Sequence, residues 1–374
     1  MRSNNFPGNR RDFLRSSAAT LAAGAFPSMP ASLFAANEKF AKSYPSKPQR
    51  IILDTDPGVD DAIAIFLALR SPELRVEAVT PVCGNVPLSL TLPNALRLVE
   101  IAGRTDIPVA AGAATPLVRR LVTAKYAHGN NGLGGVDFPE PKIKAVSETA
   151  TELIRRIVRA NPGEISIVAI GPLTNVATVL KSDPTIAPLI KSIVIMGGSL
   201  SGGNITPAAE FNFYVDPEAA RIVFDSGIPL TMVGLDVTRK VLIRDEQVRA
   251  LESAQNPVSQ AAGKILRANF DRLHKTSNAV DFAMHDPLTV AQLVDPSVVT
   301  LKDFFVEIET TGELTAGQSL GYAHGPVRRS PPLETGLPAA DSPEPEFKSN
   351  AKVAVEVDPD KFFRLLLAGL TASA

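Results

Sequence analysis

Short apolar runs alternate with periodic helical patterns along most of this chain. The apolar runs are rich in β-branched residues and predict buried strands, which cover residues 51–53, 76–82, 165–170, 192–196, 230–233 and 352–357. The segments between them predict helices, which cover residues 94–102, 149–160, 175–180, 217–225 and 359–369. Because strands and helices alternate, we predict an α/β fold with a single doubly wound, mostly parallel sheet flanked by helices.

Residues 37–374 are expected to form one domain. No internal repeat and no shift in composition divides residues 37–325, and no apolar run there is long enough for a transmembrane helix. Residues 331–346 are rich in Pro, Glu and Ser and predict an exposed loop before the last strand.

The first 36 residues have the features of an export signal. Arg10 and Arg11 are followed by Phe13 and Leu14, and residues 16–26 form a weakly apolar, Ala-rich stretch. We therefore predict a twin-arginine signal peptide at 1–36 that is cleaved on export. The twin-arginine translocation machinery would be a transient partner, and the destination would be the periplasm or another extracytoplasmic space. The alternative is a basic tail with no targeting function.

Charge and cysteine content narrow the classes of partner. The formal net charge is −1, so no bulk positive field attracts nucleic acid or anionic lipid, and no nucleic-acid partner is predicted. Cys83 is the single cysteine, which excludes an intrachain disulfide and leaves stability to core packing.

The densest chemical signal is a run of four carboxylates within eight residues: Asp54, Asp56, Asp60 and Asp61. The run lies where the first predicted strand passes into a helical pattern. So much negative charge in one turn needs a cation, and a divalent metal ion is the expected partner.

Other polar or glycine-rich turns follow the predicted strands at the same end. Asn85 follows the second strand, Gly171 the third, and Gly197 the fourth. Ligands of open α/β sheets bind outside the carboxyl ends of the strands, so this edge is expected to carry the site.

Two further clusters are candidates for the site. His285 and Asp286 precede a proline at a predicted helix start; such an Asp is usually only a helix cap, but the acidic turn favours a metal ligand here. Asn204, Glu210 and Asn212 offer amide and carboxylate groups suited to sugar hydroxyls. The alternative is that this Gly- and Asn-rich segment only forms turns.

These motifs, together with others, occur in the order seen in inosine/uridine-preferring nucleoside hydrolases, which the chain resembles over about residues 50–325. The matching segments are Asp54–Asp61, Gly84-Asn85, His128–Gly134, Gly171–Asn175, Met196–Gly198, Ala209–Asn212, Asp216–Ala220, Val233–Thr238 and His285–Pro287.

The resemblance implies a Rossmann-like nucleoside hydrolase fold and a calcium-dependent enzyme that splits a ribonucleoside into free base and ribose. The implied Ca²⁺ ligands are the side chains of Asp56, Asp61 and Asp286 and the backbone carbonyl of Ile170, with Asp54 behind the turn. The implied ribose contacts are Asp60, Asn85, Met196, Asn204, Glu210 and Asn212. The resemblance also implies a homodimer or homotetramer.

The chemistry of N-glycosidic cleavage agrees with these residue types. Its transition state resembles an oxocarbenium ion, so the enzyme must activate a water, support a positive ribosyl group and assist the departing base. Asp56 is the predicted catalytic base, because a carboxylate beside a metal can accept the proton of an activated water. Negative charge from Glu210 and Asp60 would support the ribosyl cation, and His285 is the predicted acid that protonates a purine leaving group.

Base recognition stays open at this point. His128 and the segment 270–275, which contains His274, are the candidates, although either imidazole could be an ordinary surface side chain. Purine or pyrimidine preference is therefore unassigned. Two rival classes are an aspartyl-phosphate phosphatase, which needs a different pattern after its Asp-x-Asp, and an extracytoplasmic nucleoside- or sugar-binding protein without turnover.

Overall fold

The computed structural model describes residues 47–277, 281–323 and 348–372. The predicted signal peptide at 1–36 and the predicted loop at 331–346 lie outside these residues. The strands of the described chain are β1 (Gln49–Thr55), β2 (Leu74–Pro81), β3 (Ile165–Ala169), β4 (Ser192–Met196), β5 (Leu230–Val233), β6 (Leu242–Ile243), β7 (Phe282–Ala283), β8 (Val299–Ile308), β9 (Ser319–Tyr322) and β10 (Ala351–Val357).

The α-helices of the described chain lie between and after these strands. They are α1 (Val59–Arg70), α2 (Leu88–Ile101), α3 (Lys125–His128), α4 (Ala150–Ala160), α5 (Thr174–Ser182), α6 (Phe211–Val215), α7 (Pro217–Phe224), α8 (Leu235–Thr238), α9 (Asp245–Ser253), α10 (Pro257–Ser277), α11 (His285–Val294) and α12 (Pro359–Thr371). Within the described ranges, no helix is both long and apolar enough to cross a membrane.

Eight strands form the central sheet, in the order β2-β1-β3-β4-β5-β10-β8-β9. Neighbouring strands from β2 to β10 pair in parallel, whereas β8 pairs antiparallel with β10 and β9 antiparallel with β8. The strands β1 and β3 to β5 are buried along most of their length because helices cover both faces of the sheet. The predicted fold class is confirmed.

The ends of some elements differ from the prediction. The helix predicted at 94–102 begins at Leu88, with Pro93 inside it. The Thr91 hydroxyl donates to the carbonyl of Val82 at 2.9 Å and secures the turn before Pro93. Strands β8 and β9 were not predicted, since exposed residues such as Asp303 interrupt the apolar sequence of β8.

The strand order places the candidate site. From β1 the chain passes to β2 on one side and then returns to β3 on the other, which leaves a crevice at the carboxyl ends of β1 and β3. Helix α1 follows β1 and is buried along Val59–Leu69. It packs against α11, and this contact brings Asp60 and Asp61 towards Asp286.

Candidate active site

Asp61 is fixed at the start of α1 by four hydrogen bonds. Its carboxylate accepts from the hydroxyl of Thr55 at 2.6 Å, from the backbone N–H of Gly58 at 2.9 Å, from the Asn85 amide at 2.9 Å and from the backbone N–H of Asp56 at 3.2 Å. A carboxylate in the first turn of a helix satisfies N–H groups that have no partner within the helix. The turn therefore holds Asp61 in one orientation.

Asp56 lies in a space that only glycines leave open. Its Oδ2 accepts the backbone N–H of Asn85 at 2.7 Å. A Cβ atom at Gly84 would lie 2.0 Å from Oδ2, and one at Gly171 would lie 2.6 Å from Oδ1. The buried Oδ1 has no hydrogen-bond partner among the described residues. A buried carboxylate oxygen without a partner destabilises the folded state, so we expect a ligand to bind this atom.

Three carboxylates form a cluster beside Asp56. Asp60, Asp61 and Asp286 are buried, and one oxygen of each lies within 4.8 Å of the others. Within the described ranges, no Lys or Arg forms a salt bridge with these groups or with Asp56. The donor set is all oxygen and carries concentrated negative charge, which fits a hard divalent cation.

The pKa values of these groups reflect the crowding. Burial, then the neighbouring Asp61 carboxylate, raises the pKa of Asp60 to about 7. Burial and repulsion from neighbouring carboxylates raise the pKa of Asp56 and of Asp286 well above the ordinary value. Without a cation the cluster therefore holds protons to a higher pH than free carboxyl groups do, and a bound metal would displace them.

The family resemblance implied that Asp56, Asp61, Asp286 and the carbonyl of Ile170 bind the metal. The carboxylates that cluster in the structure are those of Asp60, Asp61 and Asp286. The carbonyl of Ile170 accepts the Asn212 amide at 3.3 Å. The assignment of Asp56 and Ile170 as ligands stays a prediction. Asp54 lies behind the turn, where its Oδ2 accepts from Thr80 and Asn175 and burial raises its pKa to about 7.

A cavity of about 350 Å³ opens beside the acidic cluster. Its lining includes nine of the residues assigned from the sequence: Asp60, Asn85, Ile170, Met196, Asn204, Glu210, Asn212, His285 and Asp286. Asp56 and Asp61 are not among its lining residues and are fully buried. Residues from distant parts of the chain thus meet at one site, as the strand ends had indicated.

The proposed sugar-binding side chains are held by the backbone. The Asn212 amide donates to the carbonyl of Met196 at 3.1 Å. Glu210 caps the start of α6 and accepts the N–H groups of Gly198 at 3.0 Å and Phe213 at 3.2 Å. Burial raises the pKa of Glu210 to about 7. Asn204 accepts the N–H of Phe211 at 2.9 Å through its Oδ1 and lines the cavity.

Two histidines face the cavity. His285 forms a hydrogen bond of 2.7 Å between its Nδ1 and the Thr238 hydroxyl, and burial lowers its pKa to about 4. His128 accepts the N–H of Val59 through Nδ1 at 3.0 Å, which places its ring proton on Nε2. Burial lowers the pKa of His128 to about 3. His274 is exposed and does not line the cavity.

Several lining residues were missed from the sequence. Tyr126, Asn269 and Phe282 complete the wall, together with Leu273 from the predicted base-recognition segment. Asn269 and Leu273 are four residues apart and share a face of α10. That spacing was available in the sequence, but nothing local showed which face of the helix meets the cavity.

Comparison with known proteins identifies the family. Residues 51–364 match the model of the inosine-uridine preferring nucleoside hydrolases. The chain is 46% identical over 318 residues to the pyrimidine-specific ribonucleoside hydrolase RihA of Salmonella gallinarum, covering 84% of this chain and 96% of that relative.

Solved structures agree with this assignment. A plant nucleoside hydrolase is 36% identical, with a TM-score of 0.77 and coverage of 87% of this chain and 100% of that one. A purine-preferring ribonucleoside hydrolase from Gardnerella vaginalis is 30% identical, with a TM-score of 0.76 and coverage of 86% and 98%. The chain therefore belongs to the inosine-uridine preferring nucleoside hydrolase family and is a ribonucleoside hydrolase, an enzyme that cleaves N-glycosyl bonds.

Proposed function

We propose that this hydrolase binds Ca²⁺ at its acidic cluster and releases the base from pyrimidine ribonucleosides outside the cytoplasm. The observation that carries the metal assignment is the unpartnered Oδ1 of buried Asp56 beside three buried carboxylates. Calcium is preferred over zinc because the donors are carboxylate, amide and carbonyl oxygens rather than thiolates or an imidazole cluster.

Asp56, Asp61, Asp286 and the carbonyl of Ile170 would hold the ion, and Asp60 is close enough to its cluster to contribute. When bound, calcium would supply positive charge that lowers the pKa of a nearby water and orients ribose hydroxyls. Asp56 would accept the proton of the attacking water.

The sugar pocket would support the positive charge that develops on ribose. Glu210 and Asp60 place carboxylates in the cavity wall, while Asn204 and Asn212 offer amide groups to the hydroxyls. Interactions that strengthen as the ribosyl cation forms accelerate the reaction, whereas equal binding of substrate and transition state does not. His285 would donate a proton or hydrogen bond to the departing base, a contribution of about 10²- to 10⁴-fold.

Two arguments support a preference for pyrimidine bases. The relative at 46% identity is named pyrimidine-specific, whereas the purine-preferring neighbour is 30% identical. The wall that would face the base combines polar Tyr126 and Asn269 with apolar Leu273 and Phe282. Such a wall can pair with a small polar ring and exclude water around it.

The proposal is tested by a turnover panel with purified protein on uridine, cytidine, inosine, adenosine and guanosine. We expect release of ribose from uridine and cytidine with kcat/KM at least about tenfold above the purine nucleosides, which corresponds to about 1.4 kcal/mol. Chelation should remove activity and added Ca²⁺ should restore it. Full activity after exhaustive chelation would contradict the metal assignment, and faster turnover of inosine than of uridine would contradict the base preference.

Export is a separate part of the proposal, supported by the twin-arginine motif. Fusion of residues 1–46 to a reporter that is active only outside the cytoplasm should give signal, and the double change Arg10→Lys and Arg11→Lys should remove it. Equal signal from both fusions would contradict twin-arginine export. The homodimer or homotetramer implied by the family resemblance stays a prediction, to be measured by light scattering.

A further inference from the structure

The segment Val233–Thr238 resembles a family motif, yet no role has been assigned to its last residue. Thr238 ends the short helix α8 and is fully buried. Its hydroxyl lies 2.7 Å from Nδ1 of His285. Among the described residues, this is the one side-chain hydrogen bond of the His285 ring, so the hydroxyl governs how that ring is held.

The turn that carries Thr238 is packed directly on the turn after β4. The N–H of Leu235 donates to the carbonyl of Gly198 at 3.0 Å, and a Cβ atom at Gly234 would lie 2.7 Å from the same oxygen. Asp236 accepts the N–H of Leu200 at 2.8 Å. The hydroxyl therefore projects from a short helix that is tied to this turn at two points, which is an arrangement that holds a functional group in one geometry.

We propose that Thr238 is the positioning residue of His285. The inference rests on the proposed role of His285 as the hydrogen donor to the leaving base. The Thr238 hydroxyl engages Nδ1 and leaves Nε2 as the nitrogen available to the cavity that His285 lines. When the hydroxyl donates to Nδ1, the proton of the neutral ring resides on Nε2, from which the ring can donate a hydrogen bond to the departing base.

The distinction from a purely structural role lies in the leaving group. A base such as uracil leaves poorly and depends on the donor, whereas nitrophenolate is stable as an anion and leaves without one. Loss of the Thr238 hydroxyl should therefore slow the hydrolysis of nucleosides but leave the hydrolysis of a nitrophenyl riboside nearly unchanged. Damage to the fold, to the metal site or to the sugar pocket would slow the hydrolysis of both substrates to a similar extent.

The test compares the unchanged enzyme with Thr238→Val, which keeps the shape, Thr238→Ser, which keeps the hydroxyl, and His285→Ala. Each is assayed with the best nucleoside substrate and with para-nitrophenyl β-D-ribofuranoside. We expect Thr238→Val to lower kcat on the nucleoside by about 10- to 100-fold with little change in KM, as a small misplacement of a catalytic group does. Thr238→Ser should stay within about threefold on both substrates, well short of that misplacement loss.

Three results would overturn the inference. The first is nearly unchanged nucleoside hydrolysis by Thr238→Val when His285→Ala is impaired. The second is an equal loss of activity on both substrates in Thr238→Val. The third is a Thr238→Ser variant that does not retain activity. Unimpaired His285→Ala would instead refute the proposed acid, and the inference with it. If Thr238→Val does not fold, Thr238→Ala takes its place, and the ring-nitrogen NMR shifts of His285 report the loss of the Nδ1 hydrogen bond directly.

Discussion

Asp56 occupies its position because the two turns beside it carry no side chains. Gly84 and Gly171 approach its two carboxylate oxygens so closely that any Cβ atom would collide with them. The carboxylate can neither rotate nor retreat, because the Asn85 backbone holds Oδ2. At the scale of single residues, glycine thus determines the orientation of the predicted base.

We expect Gly84→Ala to displace Asp56, since the new methyl group would lie 2.0 Å from Oδ2. A shift of this size in a catalytic group should lower kcat/KM by about 100-fold or more. Steady-state kinetics measures the loss, and circular dichroism checks that the fold persists. Activity near that of the unchanged enzyme would show that the Asp56 orientation matters little.

The buried histidines make stability depend on pH. Burial lowers the pKa of His128 from 6.5 to about 3, so the folded protein favours the neutral ring. A histidine whose pKa is lower in the folded state contributes its full stability at pH values above its pKa in the unfolded chain. This stability is lost progressively as the pH falls below about 6.5. The side chain is 15% exposed, which reduces the effect somewhat.

His128→Gln should therefore flatten the acid limb of the stability curve. In calcium-free buffer, the free energy of unfolding of the unchanged protein should fall relative to the variant by about 1–2 kcal/mol between pH 7.5 and pH 5. Urea unfolding at both pH values measures this difference. Parallel curves for the two proteins would contradict a depressed pKa for His128.

At the scale of elements, the start of α1 both caps a helix and builds the site. Asp61 accepts the Gly58 N–H and the Thr55 hydroxyl, so the end of β1 and the start of α1 are tied through one carboxylate. The sequence predicted this turn because its acidic residues sit at a strand-to-helix transition. It did not predict the extent of α2, whose first turn depends on a contact with a neighbouring loop.

Thr55→Val should weaken both functions of this turn. Loss of a buried hydrogen bond to a charged acceptor is expected to cost about 1.5–3 kcal/mol of stability. Calcium affinity, measured by titration calorimetry, should fall as well because Asp61 is less firmly held. Thr55→Ser, which retains the hydroxyl, is the matched control, and equal behaviour of the two variants would show that the hydrogen bond is unimportant.

At the scale of the whole molecule, the proposed metal site joins the first and last thirds of the chain. Asp60 and Asp61 belong to α1, whereas Asp286 belongs to α11, and the helices are held together by core packing. An ion that bridges them should stabilise the folded state, because a ligand that binds only this state raises its stability by mass action.

Calcium should therefore raise the melting temperature. The free energy of unfolding should increase by about 2.7 kcal/mol when the free calcium concentration is one hundred times the dissociation constant. Asp286→Asn should lose most of this gain, since it removes the charge contributed by α11. Differential scanning calorimetry of both proteins with and without Ca²⁺ measures this calcium-dependent increase in stability. An identical calcium-dependent shift in Asp286→Asn would remove this residue from the ion's ligands.

The sequence by itself determined the α/β class and indicated the edge of the sheet that carries the site, through buried apolar runs, glycine turns and polar side chains directly after strands. Its family resemblance implied nine of the residues that line the cavity. Only the tertiary structure decided that Asp60 joins Asp61 and Asp286 in one cluster, that Asp56 is wedged between two glycines, and that Thr238 holds His285. Those contacts arise from strand order and helix packing, which bring together residues that are far apart along the chain. No local pattern in the sequence indicates which of these distant residues come into contact.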